Sequence, residues 1–136
     1  MTLSDILHEA IDDEYKARAT YRRVLEKFGN VRPFSHIVEA EQRHIDALLA
    51  LFKSYGLSVP QDEWPSRIEN PDTVLAACQA GVAAEIDNAG MYDRLIAASS
   101  DYLDIQNVLR NLQRASRESH LPAFQRCVER ENRQME

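Results

Sequence analysis

The chain has 136 residues, of which 44% are hydrophobic and 28% charged, with a formal net charge of −6. That length is one domain's worth of chain with material for a single core, and its acidity, with Lys and Arg scattered, excludes a nucleic-acid surface. No stretch approaches the roughly 20 apolar residues of a membrane span, and Met1-Thr2-Leu3-Ser4-Asp5 lacks a basic-then-apolar leader, so a cytoplasmic location is expected.

Apolar periodicity divides the single domain, 1–136, into four helices expected at about 3–28, 33–55, 71–98 and 101–130. The first opens at Thr2, with Asp5 completing a capping box, and carries the stripe Ile6, Ala10, Glu14, Ala17, Tyr21, Leu25 and Phe28 before Gly29-Asn30 ends it. Pro33 suits the first turn of the second, whose stripe is Phe34, Ile37, Glu41, His44, Leu48 and Leu51. Residues 56–70, with Pro60, Trp64 and Pro65, have no period and read as one long connection. About 15 extended residues reach roughly 50 Å, more than the roughly 33 Å of a 22-residue helix, so this loop can cross a whole bundle.

Asn70 and Pro71 are expected to open the third helix, with Val74, Cys78, Gly81, Glu85, Ala89, Tyr92 and Ile96 inward. The fourth begins near Asp101 and presents Ile105, Leu109, Leu112, Ser116, His120, Ala123 and Cys127. Cys78 and Cys127 lie far apart with no C-x-x-C spacing, which indicates small core residues rather than a disulfide or a zinc knuckle. Leu49, Leu95 and Val108 fall outside the main stripes and could pair two copies into a homodimer, although wide core faces explain them equally.

Five inward positions hold groups that titrate or bind metals: Glu14, Glu41, His44, Glu85 and His120. Burying three carboxylates and two imidazoles is costly unless cations neutralise them, and Glu41-x-x-His44 sets an acid and an imidazole on one helix face. The halves also repeat: Glu14 precedes Tyr21 by seven residues, as Glu85 precedes Tyr92, and His44-Ile45 is matched by His120-Leu121. Two equivalent hairpins imply an approximate two-fold axis, the symmetry of a two-metal site. Tyr21 and Tyr92 are candidates to hydrogen-bond the ligands, although inward tyrosines are commonly amphipathic core residues. Neither H-E-x-x-H, nor a Gly-rich phosphate loop, nor Gly-x-Ser-x-Gly is present, which disfavours hydrolase and nucleotide-enzyme readings.

The order Glu14, Glu41-x-x-His44, long crossover, Glu85, His120 resembles the ferritin-like di-iron carboxylate superfamily, including rubrerythrins and bacterioferritins. Within it, Pro33-Phe34-x-x-Ile37, Ala40-Glu41-x-x-His44 and Ser116-x-x-x-His120-Leu121-x-Ala123-Phe124 look like the prokaryotic domain-of-unknown-function family 2202. The resemblance implies an all-α, antiparallel four-helix bundle of ferritin-like type, with the long crossover joining helices 2 and 3. It implies Glu14 as a terminal ligand of one metal, Glu41 as a bridge with His44 on that metal, and Glu85 with His120 on the other.

The pattern is incomplete. Glu-x-x-His is expected on the fourth helix, yet the residue three before His120 is Arg117, and Glu118 points elsewhere on a regular helix. Arg117 is therefore expected beside the site, weakening the second metal position or, turned inward, replacing a metal by ion pairs with Glu41 or Glu85. The expected function is a redox protein holding one or two iron ions, with manganese or zinc as alternatives, acting on oxygen or peroxide. Two cysteines cannot build a four-thiolate iron centre, so an electron donor would be a separate protein. The alternative is a non-catalytic metal-binding or structural bundle in which Arg117 has replaced part of the site.

Overall fold

Thr2 and Asp5 exchange hydrogen bonds with each other's backbone N–H, and this capping box starts α1 (Leu3–Phe28). α2 (Phe34–Ser54) follows Pro33 and stops before Gly56, whose φ of +66° is a left-handed value natural to glycine. α3 (Val74–Ala98) begins three residues later than expected at Pro71, because the Thr73 hydroxyl accepts the Ala76 N–H at 3.0 Å and takes the capping role assigned to Asn70. α4 (Leu103–Ala115), a π-helical turn (Ser116–His120) and α5 (Leu121–Met135) run on without a break as a fourth rod. The computed structural model describes residues 1–135, among which there is no strand. No helix among them is long and apolar enough to cross a membrane.

The π turn has a cause in the sequence. Pro122 lacks an N–H, and its ring conflicts with a carbonyl four residues back, so regular α geometry cannot continue through this point. The chain widens by one residue instead, and the Leu121 N–H donates to Ser116 O.

Side-chain pairs fix the topology. Glu9 meets Arg94 and Tyr21 meets Glu85, so α1 and α3 are antiparallel; Tyr55 meets Asp104 and Glu41 meets His120, so α2 opposes the fourth rod. Gln106 to Ile96 O and Gln113 to Ala89 O make α3 antiparallel to α4. Since α1 also opposes α2, α2 and α3 run in the same direction, and the segment joining them must travel the length of the bundle. It does so along α1: Tyr15 donates to Pro60 O, Arg18 pairs with Asp62, Trp64 Nε1 reaches Asp12, Arg23 holds Pro65 O and Ile68 O, and Lys27 holds Pro71 O. A short 3-10 turn at Trp64–Ser66 is its only regular piece.

Two apolar clusters fill the interior. One gathers Ile6, Ile11, Leu48, Phe52, Leu95 and Leu109; the other gathers Tyr21, Val24, Phe34, Ile37 and Phe124. Leu95 is buried and Leu49 and Val108 pack against the first cluster, so the residues that suggested a homodimer serve the core. At Gly81, a Cβ would lie 2.7–2.9 Å from the Phe124 ring, so glycine lets α3 and α5 approach closely. That approach corrects the reading of the cysteines: Cys78 and Cys127 are disulfide-bonded, their Cα atoms 6.1 Å apart.

Candidate metal centre

Between the apolar clusters lies a layer of buried polar groups, Glu14, Glu41, Glu85, Ser116 and His120, with His44 12% exposed at its edge. All five residues expected from sequence are brought together there. His44 Nδ1 lies 3.4 Å from Glu14 Oε2 and 3.5 Å from Glu41 Oε2. His120 Nδ1 lies 3.3 Å from both Glu41 Oε1 and Glu85 Oε1. Glu41 thus offers one oxygen to each imidazole, and the two rings stack with centroids 5.6 Å apart. The donors form two triads, Glu14–Glu41–His44 and Glu41–Glu85–His120, with the potential ligand atoms of each mutually within 4.8 Å.

Side-chain direction explains how His120, four residues farther from the α3–α4 turn than Ser116, still meets Glu85. Helical Cα–Cβ bonds tilt toward the N-terminus, so Glu85 leans away from that turn and His120 leans toward it.

Tyr92 donates to Glu14 Oε1 at 2.6 Å and Tyr21 donates to Glu85 Oε1 at 3.1 Å. The two contacts cross between α1 and α3, matching the repeat read in the sequence. The position expected of Arg117 requires correction. Its side chain is 51% exposed and pairs with Asp93 at 2.9 Å, so it neither enters the site nor replaces a metal. Ser116, inward as the stripe expects, fills that place beside Glu85, its hydroxyl donating to Glu85 Oε2 at 2.6 Å. Ser116 lay on the inward stripe, and Pro122 was the signal for the altered register. Sequence reasoning also missed Asp13 and Asn88, whose side chains hydrogen-bond across α1 and α3 beside the layer.

The charges are balanced by protons. Burial and the Glu41 charge push Glu14 up to about 8. Burial also disfavours ionised Glu41, but the neighbouring Glu14 carboxyl and the two imidazoles outweigh it and hold Glu41 below the usual carboxylate value. Burial opposes charge on His44, yet Glu14 and Glu41 raise it to about 10; against the same penalty, Glu41 and Glu85 raise His120 to about 9. Burial lifts the phenols of Tyr21 and Tyr92 well above their ordinary range, so both remain donors near neutral pH. Burial also raises Asp13 to about 6.

The residues fit a metal on two counts. Glu41 Oε2 and His120 Nδ1 are buried without a hydrogen-bond partner, both at atoms that can ligate, and buried polar atoms are rarely left so. Carboxylate oxygens and imidazole nitrogens without thiolates suit iron, manganese or zinc.

Residues 4–103 match the family described as Uncharacterized protein domain (DUF2202), a span that includes Glu14, Glu41, His44 and Glu85 and ends before Ser116 and His120. The crystal structure of hypothetical protein MJ0754 from Methanococcus jannaschii DSM 2661 is similar, with a TM-score of 0.82 and 25% sequence identity. The likeness covers 97% of this chain and 83% of that one. No curated protein matches the chain significantly.

Proposed function

The chain belongs to the DUF2202 family, and from that premise and the site's geometry we propose that it is a ferritin-like metalloprotein with a two-cation carboxylate centre used in redox chemistry. The observation that carries this reading is Glu41, whose two oxygens face different imidazoles at 3.5 and 3.3 Å, the disposition a bridging carboxylate needs. Glu14 and His44 would complete one position, Glu85 and His120 the other. The parallel run of α2 and α3 and the crossed Tyr21–Glu85 and Tyr92–Glu14 contacts support the ferritin-like assignment.

Iron bound there would supply cycling between +2 and +3 with oxygen or peroxide; manganese is the nearest substitute, and zinc would be structural. The protein's own part is to hold its ligands in place with Tyr21, Tyr92 and Ser116, to keep bulk water out with two apolar clusters, and to release ligand protons when cations enter. Electrons would come from a separate donor protein.

Metal analysis of protein purified without chelator, with peroxide consumption assayed after iron loading, tests the proposal. Bound metal and iron-dependent turnover, both lost in Glu41→Ala, are expected. Metal-free protein whose melting temperature ignores added iron and manganese would sink it. A metal-loaded protein without turnover would favour the second reading, a non-catalytic metal-binding bundle.

A further inference from the structure

We infer that the α1–α3 cleft is the entry port through which a partly dehydrated divalent cation reaches the centre. This inference rests on the metal reading above and adds the route. The cleft has a volume of about 90 Å³ and opens at the surface, with Glu41 and Glu85 at its base. Organic ligands occupy pockets of roughly 300–1,000 Å³, so this space suits an ion with a few waters.

Its walls are unusual for a helix contact. Ala17, Ala80 and Ala84 line it, and the latter two are exposed, so side chains that could seal the gap between α1 and α3 stop at Cβ. Carboxylates mark the path inward. Asp13 and Asp87 line the cleft above Glu41 and Glu85, against one ammonium, that of Lys16. Such a gradient of negative charge between low-dielectric walls concentrates cations and speeds their capture.

The second observation is at the floor. Glu41 is buried, yet its Oε2 has no hydrogen-bond partner and can accept an incoming ion. Each water the cation leaves behind is replaced by a carboxylate oxygen, so dehydration proceeds stepwise. Net displacement of protons from the site completes the exchange.

The test separates route from site by measuring rate and equilibrium together. Cobalt(II) uptake, followed by its visible absorption in a stopped-flow instrument, is compared in the wild type, Ala84→Leu, Ala80→Leu and Asp13→Asn, with Ala50→Leu, exposed on α2, as a control for surface bulk. Because Ala80 and Ala84 are exposed, leucine there need not disturb the core. Uptake should slow about tenfold or more in the leucine variants, since closely packed protein admits ions only when it opens, while stoichiometry at saturation is unchanged. Asp13→Asn should slow uptake by about tenfold and flatten its ionic-strength dependence. Unchanged rates in both leucine variants, at unchanged stoichiometry, would overturn the port while leaving the metal reading intact. Absence of cobalt uptake by the wild type would overturn both.

Discussion

Tyr92 donates its phenol to Glu14 across the α1–α3 contact at 2.6 Å, and the pair is fully buried. The hydrogen bond leaves Glu14 one oxygen turned to His44 and takes the other out of competition. In the other hairpin the pattern differs: Tyr21 donates to Glu85 Oε1, the oxygen that also lies 3.3 Å from His120, while Ser116 takes Glu85 Oε2, so each hairpin's tyrosine still holds the carboxylate of the other.

Removing either phenol should therefore loosen one cation position more than the other. Outer contacts of this kind are worth about 10–100-fold in metal affinity. Tyr92→Phe is expected to weaken the site containing Glu14 and His44, and Tyr21→Phe the site containing Glu85 and His120. Isothermal titration with manganese(II) resolves the two. Equal weakening of both positions by either variant would show that the tyrosines act only through general packing.

Stability and metal affinity should depend on pH in opposite directions. His44 and His120 have folded values of about 10 and 9 against an ordinary 6.5, so their stabilisation is complete below 6.5 and lost as pH rises through 9 and 10. Glu14, raised from 4.5 to about 8, acts the same way over a lower window. Glu41, held low, contributes above 4.5 and is lost in acid. Metal-free protein should thus melt at a lower temperature at pH 9.5 than at pH 6.5. Cation affinity should rise over the same interval, with about three protons released per two cations near neutrality. Calorimetry in buffers of different ionisation enthalpy counts them; release of none would mean the imidazoles do not ligate.

Five ligand candidates were legible because burying charge is costly, and charged residues repeating on helical stripes therefore declare themselves. Ser116 lay on the inward stripe, but the outward turn of Arg117 was not legible from it. Three residues apart on a regular helix, Arg117 and His120 would share a face, whereas the extra residue in the turn before Pro122 separates them and leaves Arg117 exposed. The cysteine pair was hidden for a different reason. Its closeness depends on Gly81 admitting Phe124, a three-dimensional approach between residues 43 apart that spacing does not encode.

The π turn makes a prediction opposite to the sequence expectation. Since Arg117 points outward, Arg117→Glu should leave metal stoichiometry and affinity unchanged. Ser116→Ala should weaken the Glu85–His120 position about tenfold by freeing Glu85 Oε2, and Ser116→Glu should tighten it by adding a carboxylate. Metal titration of the three variants decides it. Tightening by Arg117→Glu would mean that residue 117 faces the site in solution.

The disulfide joins the helices that carry Glu85 and His120, seven residues from each, or about 10 Å along each axis. It closes a loop of 49 residues, for which chain entropy gives about 4 kcal/mol. For a domain of this size, the double variant Cys78→Ala/Cys127→Ala should melt about 15 °C lower by calorimetry. Two turns of helix and the Gly81–Phe124 contact separate the bridge from the ligands, so cation stoichiometry should survive its loss at temperatures where the variant is folded. A selective loss of the Glu41–Glu85–His120 position in that variant would show that the bridge also sets the spacing of α3 and α5 at the site, whereas an unchanged melting temperature would show that the chain does not depend on the bridge for stability.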